Sequence, residues 1–236
     1  MCHIPDLRDV AKGVDTLLKD DGVFIFEDPY LGDVLEKTSY DQIYDEHVFL
    51  FSALSVSNIF RSHELELIDA IPQWTHGGSM RYVLGRTGRH DVSPAVGALL
   101  ERERNQGLQL PATYDRFREN CERSRGALRS ILEDVKGAGK RVVGYGATSK
   151  STTVINYCGL GPDQIEFISD TTPIKQGKLS PGAHIPIRPY GDFQSDYPDF
   201  ALLFAWNHER EIMAKEQEFM AQGGKWIVFV PQPEIR

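Results

Sequence analysis

The stretch Tyr40-Asp41-Gln42-Ile43-Tyr44-Asp45-Glu46-His47-Val48-Phe49-Leu50-Phe51 gathers three acids, two tyrosines and a histidine in one short segment. A carboxylate beside a histidine stabilises the protonated imidazole, so Glu46 and Asp45 favour proton-transfer work by His47. The alternative is a loop histidine that merely satisfies a hydrogen bond. Position favours chemistry, because the stretch follows a strand ending in Glu27-Asp28-Pro29-Tyr30, where open α/β sheets place their sites. In an extended segment Tyr44 and Glu46 would share a face and His47 would point away. A Glu46–His47 dyad therefore requires an irregular backbone.

A second stretch, Val142-Val143-Gly144-Tyr145-Gly146-Ala147-Thr148-Ser149-Lys150, reads as a strand turning into a helix. Gly144 and Gly146 let a backbone approach a phosphate, and a helix N-terminus offers unpaired N–H groups. Ala147, Ser149 and Lys150 complete the turn, with a hydroxyl and an ammonium among them. Asp170 closes the next strand, where a dinucleotide fold keeps its ribose-binding acid. Ser149 stands where the third glycine of Gly-x-Gly-x-x-Gly belongs, so NAD, another phosphate ligand and a plain tight turn all stay open. Trp206-Asn207-His208 follows a later strand, and Asn207 reads as a helix N-cap facing the same crevice. Arg81, after His76-Gly77-Gly78, is either a phosphate partner or a surface charge on a strand.

The elements that must position these groups are legible from periodicity. Leu7, Val10, Ala11, Val14, Leu17 and Leu18 form one helical stripe, and Val23–Phe26 reads as a buried strand needing neighbours. Ser52 caps a short helix, Leu65–Ile71 and Met80–Leu84 form a hairpin with an irregular tip, and Ser93-Pro94 opens another helix. A long helix is expected over Tyr114–Lys136. Strands at Arg141–Tyr145, Ile165–Ser169, Phe200–Ala205 and Trp226–Val230 then alternate with helices at Ser149–Cys158 and His208–Ala221. Such alternation implies a parallel sheet in a small Rossmann-like unit.

With 26 basic and 34 acidic residues the net charge is −8, which gives no footing for nucleic acid. Cys2, Cys121 and Cys158 are scattered with no CxxC pair, so neither a metal site nor a disulfide framework is expected, as suits the cytoplasm. No apolar run has membrane-spanning length.

YDEHVFLFS (44–52), HGGSMR (76–81), GYGATSKSTTVINYCGL (144–160), SDTTPIKQGKLSPGAHIPI (169–187) and LLFAWNHEREI (202–212) resemble the SAM-dependent C-methyltransferases of nucleotide-activated deoxysugars, such as the TDP-sugar 3-C-methyltransferases. The resemblance spans nearly the whole chain, in the family's order. It implies an α/β protein: a remnant of a SAM-methyltransferase Rossmann sheet with the catalytic loop (1–85), then a Rossmann-like nucleotide-sugar domain (86–236). Members carry an N-terminal zinc-binding part and a glycine-rich SAM motif. Neither is recognisable here, so Met1 is expected to lie inside a SAM domain, with a separate N-terminal portion as a partner. By resemblance His47 is the base that forms a sugar enolate, Glu46 its orienting partner and Tyr44 a donor near the ketone. The turn at 144–150, with Lys175 and Asn207, would hold the nucleotide diphosphate. An NAD-dependent oxidoreductase built on Gly144, Gly146 and Asp170, and a non-catalytic nucleotide-sugar binder, are the competing readings.

Overall fold

A computed structural model describes all residues, 1–236. Packing divides the chain into two compact units. Unit 1 comprises residues 1–36 and 45–117, and unit 2 comprises residues 37–44 and 118–236.

Unit 1 opens with α1 (Leu7–Leu17), whose first amides are taken up by the Asp6 carboxylate at 3.1 and 3.0 Å. β1 (Val23–Pro29) runs through Tyr30 into α2 (Leu31–Lys37). After the histidine loop comes α3 (Ala53–Arg61), where Ser52 and Ser55 bond each other's amides in a capping box. β2 (Leu65–Gln73) and β3 (Ser79–Arg86) form the expected hairpin, and α4 (Pro94–Asn105) starts at Ser93-Pro94 as predicted.

The sheet order is β1-β3-β2, antiparallel throughout. This corrects the expectation of a fully buried first strand. Phe26 and Asp28 point inward, whereas Val23 and Ile25 on the other face are exposed. One-sided burial is what an antiparallel sheet permits and a sandwiched parallel strand does not. The covered face packs Phe26, Phe51, Phe60, Leu65, Tyr82 and Leu84 into one core. Each such side chain contributes about 1.5–3 kcal/mol through burial.

The long helix α5 (Pro111–Gly137) runs across the limit between the units. Its Leu128, Leu132 and Val135 are buried, while Tyr114 is exposed and donates to the Leu108 carbonyl at 2.6 Å. Unit 2 then alternates: β4 (Val142–Tyr145), α6 (Ser149–Cys158), β5 (Ile168–Asp170), β6 (Ile187–Pro189), α7 (Tyr190–Ser195), β7 (Phe200–Leu203), α8 (Glu209–Lys215), α9 (Gln217–Ala221), β8 (Lys225–Val228) and β9 (Glu234–Ile235). The sheet order is β6-β5-β4-β7-β8-β9, parallel except for β9. Strand order therefore reverses between β4 and β7, which makes their C-terminal ends a topological switch point.

The structure corrects two expectations here. The helix predicted over 208–221 breaks at Glu216, a buried residue at φ −97°, ψ 37°. Its carboxyl group accepts from the Tyr145 and Tyr190 hydroxyls, both at 2.7 Å, and these bonds favour the break over a continuous helix. Asn207 is not an N-cap: it lies inside a 3-10 turn (Trp206–His208), and α8 begins at Glu209 without a side-chain cap.

Candidate functional site

In unit 2 the turn after β4 is built by two glycines for different reasons. A Cβ on Gly144 would lie 2.7 Å from the Phe204 ring, and Gly146 has a φ of 91°. The turn is then tied down from below. Asp170 accepts from the Ala147 amide through Oδ2 and from the Thr172 amide through Oδ1, both at 2.7 Å. Lys175 donates to the Ala147 carbonyl at 2.7 Å and sits 3.6 Å from the Asp170 carboxylate. Ser149 is exposed at the start of α6, with Thr148 capping that helix.

Lys150 does not reach out to solvent. It is buried with its ammonium 5.4 Å from the Trp206 ring centroid, and Asp41 is its charge partner. Burial pushes the Lys150 pKa down, and the Asp41 carboxylate opposes that shift. The Trp206 indole N–H donates to Asp41 Oδ2 at 2.6 Å, while Oδ1 is buried with no partner. Burial raises the Asp41 carboxyl to about 6, against the pull of the Trp206 bond and the Lys150 charge. Asp41 belongs to segment 37–44, which is part of unit 2. Tyr40 packs on Tyr157 and Phe229 there, and the Ile43 carbonyl accepts from Thr153 on α6 at 3.2 Å.

Tyr44 closes that segment and is half-buried. The backbone then turns at Asp45-Glu46, which supplies the irregularity a Glu46–His47 pairing requires. In unit 1 Glu46 is exposed and His47 half-buried. The amides of Val48 and Phe49 both donate to the Cys2 carbonyl, at 2.9 and 3.3 Å, and the His47 ring lies 5.3 Å from that of His3. No local pattern signals this neighbourhood, because Cys2 and His3 are more than forty residues upstream. At its other end the loop is fixed by Glu103, fully buried on α4. Its carboxyl group accepts from the Ala53 and Leu54 amides at 2.7 and 2.8 Å and from the Tyr30 hydroxyl at 3.1 Å.

Arg81 is engaged across the hairpin. Its guanidinium bonds Glu27 Oε2 at 2.9 and 3.2 Å, and Thr75 donates to Oε1 at 2.7 Å. The Thr75 hydroxyl and then Arg81 hold the Glu27 carboxyl below its usual range. Nε and Nη2 are the guanidinium nitrogens engaged with Glu27.

Each Asp170 oxygen thus accepts one loop amide. Lys175, Ser149, Asn207 and the start of α6 stand at the C-terminal ends of the strands.

A parallel sheet with this switch-point turn defines a Rossmann-like α/β domain. The profile of the C-methyltransferase C-terminal domain matches residues 74–231, and the chain belongs to that family. It is 41% identical over 234 residues to the C-methyltransferase NovU of Streptomyces niveus, covering 99% of this chain. The chain spans 56% of that relative's length. No helix of the protein is long and apolar enough to cross a membrane.

Proposed function

We propose that this chain binds a nucleotide-activated keto-deoxysugar, TDP-linked by resemblance, and generates the enolate that is C-methylated. The observation that carries the reading is the identity to a C-methyltransferase along 99% of the chain, histidine loop and glycine turn included. A carbon beside a ketone becomes nucleophilic only after losing a proton, so the reaction needs a base and a donor for the oxyanion. His47 takes the proton, Glu46 orients the imidazole and Tyr44 donates to the ketone oxygen. Unit 2 holds the diphosphate through the turn at 144–150, with Lys175 and Asn207, while Asp170 keeps the turn in shape. Lys150 acts from within, fixing Trp206 and Asp41.

Methyltransferases of this kind draw an electrophilic methyl from SAM. The glycine turn Gly146–Thr148, with its Ala147 amide and the Asp170 carboxylate bonded to each other, is assigned in this reading to the sugar nucleotide.

The test is solvent-deuterium exchange into a TDP-linked keto-deoxysugar, with binding followed by calorimetry. Exchange should occur with the chain and fall by roughly 10²–10⁴ in His47→Ala, with sugar-nucleotide affinity retained. Exchange unchanged by that substitution would sink the base assignment. Binding without any exchange would favour a non-catalytic sugar-nucleotide binder. Tight NADH binding with none for the sugar nucleotide would favour the oxidoreductase. Mixing with a SAM-binding fragment should then give methyl transfer.

A further inference from the structure

We infer that Cys2, His3 and His47 form a site for a divalent cation of the zinc class, so that His47 is a ligand when metal is bound and a base only when it is not. The thiol sulfur and one donor nitrogen from each imidazole all lie within 4.8 Å of one another. Donors around a tetrahedral zinc, at about 2.3 Å for sulfur and 2.0–2.1 Å for nitrogen, are separated by roughly 3.3–3.8 Å. Small side-chain rotations close that gap. The backbone has already brought the two segments together, since Val48 and Phe49 both bond the Cys2 carbonyl.

The ligand chemistry selects the ion. One thiolate and two imidazoles suit zinc and cobalt and exclude magnesium and calcium, which take oxygen ligands. Three protein ligands leave a fourth position for water. Burial is graded across the cluster, from buried Cys2 through half-buried His47 to exposed His3, so the ion has an entry side. The thiol must give up its proton as the sulfur–metal bond forms. That proton is released to solvent on metal binding, and Asp28, a buried carboxylate, accepts from the Cys2 amide at 3.2 Å and pairs with the N-terminal ammonium. Both imidazoles bind as neutral ligands, and no electron changes hands.

Metal binding rests on geometry and is read without any sugar, whereas the switch of His47 from base to ligand rests on the proposed function. Cobalt(II) alone, titrated into the reduced chain, should bind with one equivalent. A thiolate-to-cobalt charge-transfer band and visible ligand-field bands should appear, and zinc should abolish both. Cys2→Ser should remove the charge-transfer band. His3→Ala, at an exposed position that leaves the fold intact, and His47→Ala should each weaken cobalt at least roughly tenfold. A chain showing no charge-transfer band in excess cobalt would overturn the site. So would a band that persists in Cys2→Ser, or an affinity indifferent to both histidine substitutions. Zinc should also suppress deuterium exchange reversibly if His47 is the base; exchange that persists with the zinc site filled would overturn the switch of His47 between base and ligand while leaving the metal site standing.

Discussion

The histidine loop of unit 1 and the glycine turn of unit 2 keep their charged groups in opposite surroundings. Around the loop Glu46 and His3 are exposed, His47 is half-buried, and rigidity comes from backbone bonds to Cys2 and from Glu103 at the far end. Around the turn Asp41, Lys150 and Asp170 are all buried and bonded or charge-paired within the unit. A proton-transfer group has to exchange protons and meet its substrate, so burying it completely would be counterproductive. A turn that presents amides to an anion benefits from being fixed beforehand, because ordering it on binding costs affinity. The contrast is between a group that reacts and a frame that is preformed.

The comparison can be broken most decisively at His47. His47→Ala should cost roughly 10²–10⁴ in deuterium exchange yet leave sugar-nucleotide affinity unchanged, and a parallel loss of affinity would show that the loop is part of the frame. Next in size is the loop's anchor. Glu103→Ala strands two amides and a buried hydroxyl, at about 1–3 kcal/mol each before relaxation, and urea denaturation should show a loss of about 3 kcal/mol. A loss below 1 kcal/mol would mean that water replaces the carboxyl group there.

The frame is tested by crowding and by charge. Gly144→Ala forces a methyl against Phe204 and should destabilise by about 1–3 kcal/mol in thermal melts. Lys175→Ala releases the Ala147 carbonyl and should weaken diphosphate binding by about tenfold, or about 1.4 kcal/mol, in calorimetry. The smallest effect concerns Asp41. Its folded pKa of about 6 lies above the ordinary aspartate value of 3.8, so the folded state holds more protons between those values. Stability should therefore decline as pH rises from about 4 to 6 and level off above. Fluorescence of Trp206 should titrate with a midpoint near 6, and Asp41→Asn should abolish that titration.

Much of unit 2 was legible because alternation of apolar strands with helices is a local signal. α6 falls on Ser149–Cys158 as predicted, and the parallel order follows from the need for crossover helices. Less visible were features that depend on distant partners. The helix break at Glu216 comes from two tyrosine hydroxyls, one more than seventy residues away. β9 and β6 are too short to leave a pattern of their own. Asp170 was legible as an acid at a strand end, but the two loop amides that fold back on it were not.

The sequence by itself determined which chemistries are present: a histidine among carboxylates, a glycine turn entering a helix, and a chain pattern resembling one enzyme family. Residue type and spacing carry that information because acid–base capacity and backbone freedom are properties of single residues and their neighbours. Tertiary structure alone decided who meets whom. It buried Lys150 against Trp206 and Asp41, spent Asp170 on the turn, paired Arg81 with Glu27, and set Cys2 and His3 beside His47. Those outcomes arise from long-range packing, in which a charge takes whichever partner the fold brings within a few ångströms, and no local pattern encodes that choice.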